Sequence, residues 1–593
     1  MLFVPIKRLL NASSQTIKSE HLAIHILAVL VGVAAGCGAV IFREMIDLSQ
    51  TFFLGFSSER VITGLAAEPA WRIILAPTIG GLMIGYFTHR FIPGGRPEGV
   101  AHVIEANALH AGRMSLRQGL AAAVVNAASV GAGASVGREG PVVHFGATIA
   151  SWLGRPFRLT RPQSRTLLGC GVAAAVAASF NAPIAGVFFA LEVVIGHYAL
   201  TAFAPIVIAS VGGTLISRMY FGDVTAFILP ESAIQSLWEF PAFGLLGLVS
   251  AGVAIGFMRM TMAVDTTVTK ITQKSKLPRW LFPGLAGLFI GLLALLFPEL
   301  IGVGYEATDN ALKAQYGLWM LMILVVVKII ATSVCLGCGF GSGVFSPSLF
   351  LGAMVGGAFG LIAAMPFPEL ASDQGAYTLI GMGAVAGAVL GAPISTILMI
   401  FELTGDYRMT IGVMVAVSIA SIVTRSLHSP SFFADQLAAR GLNLSGAHEA
   451  GLLKAMQVTE YMHDAPITVL SDAPLDDVRA CLLAASPGPV FVVEANGSLS
   501  GIVSLADLGG AAFDTSNDDQ LTVANVARKR PAVVAAGDDL QHALSVFEDT
   551  SEALIAVVDN DIDRQLIGSL QEQRVIRAYR LAMERMRAEE HGE

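Results

Sequence analysis

Gly137-Arg138-Glu139-Gly140-Pro141 lies between GAGASV and PVVHFGATIA, so two ionisable side chains interrupt an apolar region. Pro141 suits the first turn of a new helix, where its missing N–H costs nothing. Gly137 and Gly140 let backbone amides crowd around one point. Free N–H groups at a helix N-terminus attract an anion, and successive amides form an anion-binding nest. Glu139 then reads as a tethered anion at a site built for anions. Ionised, it occupies that site; protonated, it loses its hold and swings away. The plainer alternative is an Arg138–Glu139 pair that only caps a helix.

The pentapeptide has a partner further along. Gly137…Pro141 and Gly146-Ala147 line up with Gly343-Val344-Phe345-Ser346-Pro347 and Gly352-Ala353, each match 206 residues apart. Gly171, Ala182-Pro183-Ile184 and Glu192 line up with Gly381, Ala392-Pro393-Ile394 and Glu402, each 210 residues apart. Two motifs in one order at nearly one offset mark a duplication. Phe345 stands where Glu139 stands, so the second copy is expected to offer a backbone N–H, with the ring shielding the site. Glycine- and proline-interrupted segments at matching places in two halves point to a site between repeats.

The chain around these motifs is built for lipid. Of 593 residues, 54% are hydrophobic and 14% charged, and the mean hydropathy is +0.66. Soluble domains carry about 25% charge, so an ordinary soluble enzyme, a disordered chain and a basic nucleic-acid binder are excluded. Runs at 22–42, 72–90, 198–220, 238–262, 280–298 and 317–336 are long enough to span about 30 Å of hydrocarbon. Runs at 117–136, 141–153, 166–180, 183–195, 344–362, 377–391 and 393–403 are shorter and interrupted. Broken helices at membrane depth are tolerated where they line a cavity or are buried in protein. Residues 1–450 hold 26 basic and 22 acidic side chains and the remainder 11 and 23, so an acidic soluble module follows the membrane body. Lys7, Arg8 and Lys18 precede the first apolar run, which places the N-terminus on the cytoplasmic side. The opening MLFVPIKRLLNASSQ lacks a signal-peptide layout. With both termini cytoplasmic, the number of crossings is even.

The acidic module reads as two units. Pro489–Val493, an Asn496-Gly497 turn and Gly501–Ser504 form a hairpin signal, preceded by helical spacing at 473–486. Ala553–Val558 and Leu566–Ser569 repeat it, with helical spacing at 538–549. Five cysteines, four of them in apolar stretches, argue against a disulfide framework. Cys335-Leu-Gly-Cys338 has no second pair and reads as two small buried residues rather than a metal site.

The GREGP pentapeptide, Gly343-Val-Phe-Ser-Pro347, Phe180-Asn-Ala-Pro-Ile-Ala-Gly186 and Phe401-Glu-Leu-Thr-Gly405 together resemble the CLC family of chloride channels and chloride/proton antiporters over about residues 20–440. The acidic module resembles a pair of CBS domains. The resemblance implies an all-α polytopic membrane fold of inverted repeats with broken helices, followed by a cytoplasmic α/β CBS pair. It implies a homodimer in a bacterial-type inner membrane, with one anion pathway per subunit. The expected divisions are an N-terminal segment 1–20, a transport domain 21–428 (repeats 21–220 and 238–428), a linker 429–455, CBS units 456–515 and 520–580, and a polar tail 581–593. Glu139 matches the family's gating glutamate. Gly137, Arg138, Gly140 and Pro141 frame it, and Gly343, Val344, Phe345, Ser346 and Pro347 match the segment whose amides hold the central anion. Chloride is the substrate, protons are a candidate second one, and no cofactor is required.

Three positions depart from the family pattern. The first family motif is loosely present as Pro97-Glu98-Gly99-Val100-Ala101, with Glu98 where the family has an anion-contacting serine. An anion-contacting tyrosine falls at Phe433, which has no hydroxyl. Glu192 is followed by Val193 where many antiporters carry a proton-transfer glutamate, which tilts the reading towards a channel or a weakly coupled exchanger. Glu192 and Glu402 are expected to pair structurally; Glu105, His102 and His144 near the first two motifs are weaker ionisable candidates, the histidines expected to be satisfied structural groups rather than pH sensors. Ser504 and Asp507 are spaced to reach the ribose of an adenine nucleotide, but both are changed in the second unit, which favours a purely structural module. Two other classes stay in view. One is a membrane-anchored anion or nucleotide sensor with no flux. The other is an intramembrane enzyme, for which Glu139 lacks an accompanying acid, nucleophile or metal cluster.

Overall fold

The computed structural model describes residues 17–591 apart from 158, 199, 224–226, 228–233, 276, 342, 367, 369–370, 443–452, 454–455, 486–487, 510–521, 551 and 561. The expected N-terminal segment up to 16, and residues 443–452 and 454–455 of the expected linker, lie outside the described residues. The chain divides into two compact units, Met1–Leu444 and Ser445–Glu593.

In the first unit, the eight longer helices of the first half have counterparts in the second. The first half comprises α1 (Ile17–Leu54), α2 (Ala70–Phe91), α3 (Val100–Leu109), α4 (Leu116–Gly131), α5 (Glu139–Gly154), α6 (Arg161–Phe180), α7 (Pro183–Phe189) and α8 (Leu200–Phe221). The second comprises α9 (Phe240–Ser275), α10 (Phe282–Ala294), α11 (Tyr305–Leu312), α12 (Leu318–Cys338), α13 (Phe345–Ala364), α14 (Gln374–Leu390), α15 (Pro393–Thr404) and α16 (Tyr407–Leu427). A last short helix, α17 (Phe432–Ala438), follows within residues expected to be linker. Among the described residues, seven helices are long and apolar enough to cross a membrane.

The paired glycines of the repeat explain its packing. A Cβ on Gly146 would run into the carbonyl of Gly171, and one on Gly352 into that of Gly381. Hence α5 lies directly on α6, and α13 on α14. Small residues allow such backbone approach in membranes, where packing replaces the hydrophobic effect as the driving force. α6 and α14 end alike, on Asn181 (φ +58°) and Gly391 (φ +65°), both left-handed. Ala-Pro then starts α7 and α15 in a new direction.

Two segments differ from expectation. Residues 280–298 do not form one long helix: α10 has 13 residues, and Pro298 opens a separate turn. Conversely, 344–362 is continuous, because the glycines of the 20-residue α13 meet neighbouring helices instead of breaking it.

The second unit holds two small sheets. β1 (Thr468–Leu470) runs parallel to β2 (Val490–Val493), which pairs antiparallel with β3 (Leu499–Val503), and β3 pairs with β4 (Arg528–Lys529). β5 (Val533–Ala535), β6 (Leu554–Val558) and β7 (Leu566–Gln571) repeat the parallel–antiparallel order. The helices α18 (Leu475–Ala485), α19 (Leu540–Thr550) and α20 (Glu572–His591) accompany them. Phe491, Leu499 and Ile502 pack on Ala556 and Val558, which joins the two sheets in one core. The α20 helix carries the expected polar tail on to His591.

Candidate functional site: an anion pathway

The two glycine–proline motifs meet. The Gly137 N–H donates to the Gly343 carbonyl at 2.8 Å, and the Gly343 N–H returns a bond to Gly137 at 2.9 Å. This antiparallel bridge brings together the N-termini of α5 and α13. Neither helix has a side-chain cap, its N-cap residues being Arg138 and Val344. The first N–H groups of a helix have no partner within it, and the helix dipole adds partial positive charge there. Two such ends at one point favour an anion.

Glu139 lies at this junction and is 1% exposed. Its carboxylate accepts hydrogen bonds from the Tyr305 and Ser346 hydroxyls. Arg138 turns mainly the other way: Nη1 is 2.7 Å from Glu59, and its Nε is 3.8 Å from the Glu139 carboxylate. Its guanidinium also lies over the Tyr305 ring. The structure therefore does not reduce Arg138–Glu139 to a mutual cap. Phe345 is buried against Phe180 and Phe189, with ring centroids 4.9 and 5.9 Å away. Pro141 and Pro347 sit near the start of their helices, as the motif requires.

Cavities open on both sides of this junction. One, of about 120 Å³, is lined by Glu98, Gly99, Gly140, Gly343–Phe345 and Phe433. Residues from the degenerate first motif and from α17 thus join both glycine–proline motifs on one wall. A smaller one, of about 40 Å³, is lined by Glu59, Arg138 and Tyr305. In the chain, Glu139 is the residue between Arg138 of the smaller cavity and Gly140 of the larger.

Glu192 and Glu402 take reciprocal places. Glu192, on a π-helical turn after α7, accepts from the Ile394 and Ser395 N–H groups and the Ser395 hydroxyl. Glu402, near the end of α15, accepts from the Ile184 and Ala185 N–H groups at 2.8 and 2.7 Å. Each carboxylate caps the other helix, so α7 and α15 run antiparallel.

Sequence reasoning missed Tyr305, the hydroxyl of Ser346 as a partner of Glu139, and Lys328. Tyr305 had a signal: the 206-residue offset maps it onto Gly99, at the start of a matching helix. Lys328 had one too, as a lone cation in LMILVVVKII. It is fully buried, with only the Leu300 carbonyl at 3.4 Å and the Phe350 ring at 4.7 Å as described partners. Cys335 and Cys338 are buried free thiols. In the second unit, Asp507 accepts from the Ser504 N–H and hydroxyl at 2.8 and 2.6 Å, and from Arg528. The two residues singled out for ribose are thus engaged with each other in a helix cap.

The family pattern described as voltage gated chloride channel matches residues 80–425, more than half of the chain. The chain belongs to the voltage gated chloride channel family. A CBS domain pattern matches residues 458–511 of this family member. A ClcB-like chloride channel protein of Ralstonia nicotianae is 34% identical over 70% of the chain and 96% of its own length. The H+/Cl− exchange transporter ClcA of Vibrio cholerae is 31% identical over 68% and 86%. The crystal structure of a slow cyanobacterial Cl−/H+ antiporter matches at a TM-score of 0.62 and 25% identity, covering 71% of this chain and 98% of that one. The fold is that of a CLC transporter, and the chain is an integral membrane protein.

Proposed function

We propose that this protein carries chloride or a similar small anion across a membrane, with Glu139 as the gate. The observation that carries the reading is a buried carboxylate at the junction of two uncapped helix N-termini, with a cavity to either side. The carboxylate stands in for the transported anion. Tyr305 and Ser346 hold it by hydrogen bonds, which are stronger to a charged acceptor than to a neutral one. A proton removes the charge, the hold weakens, and an anion takes the vacated donors. Gly137, Arg138, Gly140 and Pro141 shape one half of the site, and Gly343, Val344, Phe345, Ser346 and Pro347 the other. Glu98, Gly99 and Phe433 line the approach.

The same reading makes the protein a homodimer in a bacterial-type inner membrane, with cytoplasmic termini. The CBS-like unit serves as a structural module ahead of nucleotide binding, because Asp507 is already engaged by Ser504 and Arg528.

Purified protein in vesicles, assayed for chloride and proton movement together, tests the gate. Wild type should show chloride flux that depends on pH. Glu139→Ala should abolish any coupled proton movement and release chloride flux from its main pH control. A folded Glu139→Ala protein with unchanged coupling and pH dependence excludes Glu139 as the gate, and a wild type with no anion flux favours the sensor reading.

A further inference from the structure

A second ionisable pair faces the anion path at a distance from the gate. Glu98 lines the larger cavity beside Gly140, Gly343 and Phe345. Its Oε2 is 3.3 Å from His144 Nε2, and the two side chains are 16% and 1% exposed. His144 thus packs behind the carboxylate, cut off from solvent. Its Nε2 faces the Glu98 carboxylate at ion-pair distance, off the line of a well-formed hydrogen bond. A buried imidazole facing a carboxylate inside a membrane body is a candidate functional pair.

We propose that Glu98 and His144 form a second proton-binding site on the anion path, distinct from Glu139, whose charge governs anion entry into the larger cavity. The inference rests on the reading of the chain as an anion transporter. Without a bound proton the pair carries one negative charge on the cavity wall and repels an anion. One proton, held between the carboxylate and the imidazole, makes the pair neutral. Imidazole is the side chain most used as a proton-binding switch in proteins.

The other charged groups facing the pair are held by fixed partners. His102 Nδ1 accepts the Gly99 N–H at 3.1 Å, and its Nε2 is 2.9 Å from Arg440. With Nδ1 accepting, the ring's own proton sits on Nε2, and an added proton on Nδ1 would break the Gly99 bond and stand near the Arg440 cation. Arg440 also faces Glu105 at 3.6 Å. Asp265 sits between Arg96 at 3.3 Å and Arg279 at 2.9 Å. Glu98 and His144 remain as the pair on this wall able to change charge. The Glu139 carboxylate is bonded instead to Tyr305 and Ser346, so the two sites titrate on separate side chains.

The test uses full-length protein in vesicles, with Glu139→Ala as background so that the gate cannot contribute. Chloride flux is measured with equal pH on both sides, from about pH 8 to about pH 5. Flux should rise about tenfold across this range, a barrier change of about 1.4 kcal/mol. Adding Glu98→Gln should give high flux that no longer varies with pH. Adding His144→Gln should do the opposite, keeping flux low across the whole range. Misfolding does not produce opposite displacements from two neighbouring substitutions. Flux from the Glu139→Ala protein that is flat with pH, or that keeps its pH dependence after Glu98→Gln, overturns the proposal. If the background protein carries no chloride, the transport reading is at fault, and the pair is then read through the rise in unfolding midpoint that chloride produces in detergent. That rise should grow as pH falls and stop growing in Glu98→Gln; a rise equal at all pH values overturns the proposal.

Discussion

Two hydroxyls hold the buried carboxylate on which the proposed gate rests. Tyr305 and Ser346 both donate to Glu139, and a bond to a charged acceptor is stronger than one to a neutral acceptor. Tyr305→Phe removes one O–H and keeps the ring under Arg138; Ser346→Ala removes the other. Each should raise chloride flux at a fixed pH by about tenfold, since a bond to a charged group contributes about 1.5–3 kcal/mol and about 1.4 kcal/mol is tenfold in rate. The measurement is chloride flux in vesicles, and unchanged flux in both variants would remove these hydroxyls from the gate. That Glu139 stands buried at a helix start was legible from five letters, because a carboxylate between glycines and a proline interrupts an apolar region there. The identity of its partners was not. Tyr305 lies 166 residues away in sequence, and no local pattern reports which hydroxyl folds back onto a distant carboxylate.

At the scale of elements, the repeat is written in its caps and crossings. Glu192 caps α15 while Glu402 caps α7, so each half completes the other. The two carboxylates stand at opposite ends of an antiparallel pair, nine residues from the helix starts they do not cap, which is about 14 Å along the axis. Glu192→Gln and Glu402→Gln should each lower stability by about 1.5–3 kcal/mol. At that separation the double substitution should cost nearly the sum. Thermal unfolding in detergent checks both statements, and a strongly non-additive pair would show that the caps are not independent. Sequence spacing matched these two glutamates to each other and suggested a shared structural role, but it could not show that each serves the opposite helix. The length of α10 was misread for a related reason: hydropathy counts apolar residues and does not see where a Pro298 turn ends the helix.

On the scale of the whole molecule, two units of different chemistry share one chain. The first stays in lipid through its apolar helices, and the second is acidic and folds around two small sheets. Asp507 links charge to stability in the second unit. Burial raises its pKa, but the bonds from Ser504 and the adjacent Arg528 outweigh this and hold the carboxyl below its ordinary range. Arg528 is itself held charged, foremost by its bond to Glu552. A carboxyl lowered on folding adds stability above its unfolded value, about pH 3.9, and loses that contribution as pH falls through the folded value. Asp507→Asn should therefore lower the unfolding midpoint of this unit at neutral pH, and the deficit should shrink below about pH 4. A pH titration of thermal unfolding monitored on the sheet signal reads the effect; a deficit that persists unchanged in acid would contradict it.

Composition, periodicity and motif spacing alone established a membrane body, an acidic appendage, an internal duplication and a lone carboxylate at a helix start in an apolar region. These follow from local rules, since lipid demands apolar runs, helix starts demand glycine and proline, and a duplicated gene keeps its spacing. What folding in three dimensions settled was which groups meet: Gly137 with Gly343, Glu139 with Tyr305 and Ser346, Glu98 with His144. Such pairings depend on how helices far apart in the chain cross and pack, and the energy of a buried charge depends on neighbours that no stretch of sequence names.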